Sequence, residues 1–100
     1  MSKFKSTNVK RNTIEGEVLY WALEGGLDYW CSEMESEIRE GKCYDKIYKR
    51  GAKKYHIINS NEVIEDMIYR LDEMLPNMEE TPQSEIRACK RVIKKLKEIK

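Results

Sequence analysis

Histidine occurs only once in this 100-residue chain, and that scarcity removes a class of function. With His56 alone, no cluster of ring nitrogens exists for a metal, no cysteine has a histidine close by, and neither HExxH nor GxSxG is present. The expectation is therefore a protein that is not an enzyme, with no metal and no cofactor. Three cysteines (Cys31, Cys43, Cys89) make an odd number without CxxC spacing, which argues against a disulfide framework or a structural zinc site. Five glycines form neither GxGxxG nor GxxxxGK[ST], so no dinucleotide fingerprint or P-loop is encoded. No apolar run approaches the ~18 residues of a membrane span, and the N-terminus lacks the apolar core of a signal peptide. A soluble, cytoplasmic protein with no membrane partner is expected.

What is present is charge, at 37% of residues, beside a 40% hydrophobic share that supports one small core. A net charge of +1 conceals segregation along the chain. Lys3, Lys5, Lys10 and Arg11 open it; residues 15–40 are acidic except for Arg39, 42–54 basic except for Asp45, 62–80 acidic except for Arg70, and 87–100 basic except for Glu98. Such blocks neutralise one another within a compact fold or across a dimer; alternatively the basic faces hold an anion or nucleic acid.

Periodicity predicts a small, mainly helical α+β domain over residues 13–100, with a short sheet and a flexible basic arm over 1–12. The first helix spans 13–24, capped by Asn12 with Glu15 in a capping box, faces inward through Ile14, Val18, Trp21 and Ala22, and stops at Gly25-Gly26. A short strand over 27–32 and a helical turn or two from Ser32 to Gly41 follow. The segment KCYDKIYKRG reads as a short helix or as the first arm of a hairpin, and 53–58 as a strand. A helix over 60–75 is capped by Asn59, carries Ile64, Met67, Ile68, Leu71, Met74 and Leu75, and ends at Pro76. The last helix, 82–99, starts at Thr81-Pro82 with a stripe of Ile86, Cys89, Val92, Ile93, Leu96 and Ile99.

Three sets of residues are candidates for function. In YWALEGGLDYWC a Tyr-Trp pair stands on each side of the double glycine. If the chain reverses there, the rings make a mini-core, or Tyr20, Gly25, Gly26, Tyr29 and Trp30 wall a pocket whose bare backbone admits a ligand. Arg50, Lys53, Lys54 and His56 surround Gly51, where backbone N–H groups and cations suit a phosphate; the alternative is a solvated strand edge. Arg87, Lys90, Arg91, Lys94, Lys95, Lys97 and Lys100 make the last helix a solvated face, a surface for acidic patches of another copy, or a nucleic-acid contact.

ALEGGLDYWC, followed some twenty residues on by KRGAKKYHI, resembles a family of small bacteriophage proteins with an ALEGGxxYWC-like signature and a downstream RGG. The resemblance spans about Ile14 to Leu75, and Arg50-Gly51-Ala52 stands where the family has RGG. It implies a phage accessory protein in the host cytoplasm, of the kind that binds host proteins or sequesters host immune nucleotides. The leading expectation is inhibition of host defence by binding a phosphate-bearing nucleotide signal. A protein-interaction inhibitor docking by its acidic, aromatic surface on a host or phage protein is the alternative, with nucleic-acid binding third. A homo-oligomer is expected because the apolar stripes are long for so small a core and the charge blocks are complementary.

Overall fold

The computed structural model describes residues 3–33, 47–49 and 51–100. Strand β1 (Phe4–Lys10) lies where the sequence predicts a flexible arm. Only Thr7 and Val9 of this strand are buried, and its register shifts between the pairs Ser6↔His56 and Lys10↔Lys54. That irregularity breaks the period-two pattern by which a strand is recognised. Asn8 has φ 59 there, a left-handed conformation that asparagine tolerates better than most residues. The Thr7 hydroxyl donates to the Tyr55 carbonyl at 2.8 Å and accepts from the Val9 N–H at 3.1 Å, which fastens the irregular stretch.

Its partner is β2 (Lys54–Ile58), the strand predicted over 53–58, and the two run antiparallel with Phe4 opposite Ile58 and Lys5 opposite Ile57. On the other edge of β2, Tyr48 bridges Ile57 and the Lys49 N–H donates to the His56 carbonyl at 2.9 Å. The described residues of KCYDKIYKRG thus combine a helical Ile47 with an isolated bridge at Tyr48, a feature of each of the two readings left open. The remainder of that segment, and the helical turns predicted as far as Gly41, lie outside the described residues.

Helix α1 (Ile14–Glu33) runs uninterrupted through Gly25 and Gly26, so the predicted stop at Glu24 and the strand over 27–32 are both overturned. A glycine cap needs a positive φ, and among the described glycines only Gly51 has one. Each helix-interior glycine costs about 1 kcal/mol against alanine. Burial of Leu27 and Trp30 contributes roughly 1.5–3 kcal/mol apiece, enough to carry the helix on. The inward face is Val18, Leu19, Ala22, Leu23, Leu27 and Trp30. Ile14 is 43% exposed and Trp21 half-buried, a shift from the predicted face. The cap is Thr13 rather than Asn12: its hydroxyl accepts from the Gly16 N–H at 3.0 Å and donates to the Lys10 carbonyl at 2.8 Å.

Helix α2 (Asn61–Tyr69) is capped by Ser60, one residue after the predicted Asn59, and continues as a wider π turn (Arg70–Met74) and a 3-10 turn (Leu75–Asn77) that contains Pro76. Ile64, Met67, Leu71 and Leu75 are buried as predicted, joined by Val63, whereas Met74 is 39% exposed. Helix α3 (Gln83–Ile99) buries Ala88, Cys89, Val92 and Leu96 and packs on α1 and β1. Thr81 does not cap it; that hydroxyl donates back to the Leu75 carbonyl at 2.8 Å. The result is the predicted fold class, a small α+β domain, with a two-stranded antiparallel sheet among the described residues. Among those residues no helix is long and apolar enough to cross a membrane.

Candidate functional site

The double glycine does not open a pocket. A Cβ on Gly26 would run into the six-membered ring of Trp30, one turn later on the same helix, so the glycine is the slot in which the indole lies. Gly25 faces the other way, and a Cβ there would stand 3.5 Å from Arg70 Nη1. Trp30 is buried, its Nε1–H donating to Asp66 Oδ2 at 2.8 Å, and Arg70 Nε–H donates to the same oxygen at 2.9 Å. Of the five residues predicted as pocket walls, Tyr20 is half-buried against the core, Gly25 is exposed, Gly26 is filled by the Trp30 ring, and Tyr29 and Trp30 line a cleft with α2 rather than with the glycines. The chain reversal on which both the mini-core and the pocket reading rested is absent, and of the Tyr-Trp pairs only Trp30 is buried.

The basic set fares differently. Lys53 and Lys54 line a cleft of about 570 Å³ together with Lys10, Arg11, Asn12, Thr13, Gly51 and Ala52. His56 is half-buried on β2 and does not line this cleft, nor does any of the five aromatic-stretch residues; Arg50 lies outside the described residues. The basic residues thus line a cleft between the β1–α1 turn and the turn before β2, and Gly25-Gly26 takes no part in it. One hydrogen bond joins those turns, and one close approach packs α1 on the first of them. The Arg11 N–H donates to the Lys53 carbonyl at 3.1 Å, and Gly16 lets α1 close on the β1–α1 turn, where a Cβ would run into the Lys10 and Arg11 carbonyls. Gly51, at φ 77, has open space around it, so backbone conformation rather than room demands glycine there.

The electrostatics of the cleft are one-sided. Lys10 stands directly opposite Lys54 across the two strands. The Arg11 guanidinium lies 5.0 Å from the centre of the Tyr55 ring, and its Nη1 is enclosed without a hydrogen-bond partner. Burial pushes the Tyr55 phenol up, against the pull of Arg11, so the ring beneath the guanidinium stays neutral. Among the described residues no carboxylate pairs with Lys10, Arg11, Lys53 or Lys54; the nearest acid in sequence, Glu15, is drawn instead to Arg91 at 2.7 Å. A backbone hydrogen bond and Arg91 hold that carboxyl below the usual carboxylate range.

Lys10 to Thr13 were missed as site residues because they fall in the predicted arm. The signal was the Lys10-Arg11 pair placed just before the cap of a helix, where cations and N–H groups converge. Among the described residues no group of His, Cys, Asp and Glu could hold a metal ion. No family model, curated protein or solved structure matches this chain, so its function has to be read from its own geometry.

Proposed function

We propose that this chain is a non-enzymatic binder of a phosphate-bearing ligand, a nucleotide signal, held in the cleft between the β1–α1 turn and the turn before β2. The observation that supports it is the Lys10–Lys54 pair, two like charges facing each other with Arg11 and Lys53 alongside. Directly opposed like charges destabilise a strand pair, and an anion between them turns that repulsion into attraction. Arginine supplies a flat, two-pronged donor and the lysines supply movable point charges. The first turn of α1 at the edge of the cleft adds a favourable dipole end.

Among the described residues no aromatic ring lines this cleft, since Tyr29 and Trp30 lie elsewhere. The reading therefore puts recognition on the phosphates, with tolerance for the base. The biological setting, a phage accessory protein that sequesters a host defence nucleotide in the cytoplasm, rests on the ALEGGLDYWC resemblance.

Calorimetry with inorganic phosphate, pyrophosphate, cyclic nucleotides and ADP-ribose tests it. Di- and polyphosphates should bind most tightly, the affinity should fall as salt rises, and Lys54→Ala should weaken it. Silence of the folded wild-type chain across this panel would remove the reading, and steep salt-dependent binding of DNA or RNA alone would replace it with nucleic-acid binding.

A further inference from the structure

Two clefts of nearly equal size and opposite charge lie side by side, away from the basic cleft. One, about 400 Å³, is bounded by Tyr29 and Trp30 of α1 and by Glu62, Glu65 and Asp66 of α2. The other, about 410 Å³, runs along α3, where Ile93 is flanked by three bases, Lys90, Lys94 and Lys97, and one acid, Glu98. They adjoin, because Lys100 at the end of α3 pairs with Glu65 on α2 at 2.7 Å. Asp66 is likewise neutralised, by Arg70 at 2.9 Å. Among the described residues Glu62, Lys90, Lys94 and Lys97 are exposed and form no ion pair, and Tyr29 keeps 58% of its surface in solvent.

We infer that a second copy of this chain covers both clefts at once through a two-fold interface. Neighbouring patches of opposite sign are self-complementary under a two-fold rotation: the acidic patch of each copy meets the basic patch of the other, and the contact is made twice. Tyr29 is the anchor. Its ring reaches the half-buried Ile93 of the second copy, and the flanking lysine ammonium groups lie where an aromatic face attracts cations. A basic protein of another kind would use the acidic cleft alone and leave α3 bare, which makes the two occupants separable. This inference does not depend on the phosphate reading, since no residue is shared between the two sites.

Sedimentation equilibrium of the full chain in low salt tests it. A dimer is expected at micromolar concentration, dissociating as ionic strength rises. Glu62→Lys and Lys94→Glu should each weaken it by about tenfold or more, since every substitution acts at both halves of the interface, and the two combined should restore it. Tyr29→Ala should weaken it with circular dichroism unchanged. A monomer at the highest soluble concentration overturns the inference, as does a dimer indifferent to both charge reversals or a double reversal no better than either single one.

Discussion

Gly26 and Trp30 occupy one turn of α1 as slot and ring, the indole lying where a side chain at position 26 would otherwise project. Gly26→Ala gains about 1 kcal/mol of helix propensity but forces the buried indole to shift, at about 1–3 kcal/mol. A net loss is expected, read as a lower Tm. In a Trp30→Ala background the same change should stabilise, because nothing then fills the slot. Gly25→Ala meets only ordinary contact with Arg70 and should stabilise by up to about 1 kcal/mol. Thermal melts of the four variants read the comparison directly.

One oxygen of Asp66 receives both the Trp30 indole and the Arg70 guanidinium. Asp66→Ala strands a buried N–H and should cost about 1–3 kcal/mol. Trp30→Phe should cost less in the Asp66→Ala background than in the wild type, a coupling that a double-mutant cycle in urea measures.

The fully buried Cys89 thiol is pushed up to about 11 from an ordinary 9.0, chiefly by burial and then by Glu85. Its folded value lies above the unfolded one, so its contribution is complete below pH 9.0 and is lost as pH rises toward about 11. Tyr55 shifts in the same direction and adds to the alkaline loss. Cys89→Ala should flatten the fall in Tm between those pH values relative to the wild type, whatever it does at neutral pH. At the acid end, Glu15 acts with the opposite sign. Its lowered value gives stability above the ordinary 4.5 that is lost as pH falls, a small effect for a partly exposed pair.

Lys54→Ala separates repulsion from ligand binding. Without anions it should raise stability by about 0.2–1 kcal/mol, because Lys10 loses a like charge opposite it. With pyrophosphate present the wild type should gain more in Tm than the variant, since ligand stabilisation follows affinity. A variant that gains as much as the wild type would place the anion elsewhere.

The long apolar stripes of α2 and α3 were legible because their burial repeats every three to four residues over many turns: Ile64, Met67, Leu71 and Leu75 on one, Cys89, Val92 and Leu96 on the other. Half of the basic cleft was legible too, through Lys53 and Lys54 beside Gly51. Its other half hid in Lys10 to Thr13, which look like solvated residues until β1 pairs with β2. The caps of α1 and α2 each fell one residue past the predicted one, at Thr13 and Ser60, since neighbouring Asn, Thr and Ser have similar capping strength.

Local chemistry alone determined the α2 and α3 faces, strand β2 and the helix break around Pro76, because there the preferences of adjacent residues agree. Only the tertiary structure decided that Gly25-Gly26 continues a helix and that the basic N-terminus is a strand. Both outcomes depend on partners far along the chain, Asp66 for Trp30 and Tyr55 for Thr7, separated by 36 and 48 residues. A glycine in a helix or an asparagine with positive φ shifts local preference by only about 1 kcal/mol, and long-range burial and hydrogen bonding exceed that margin.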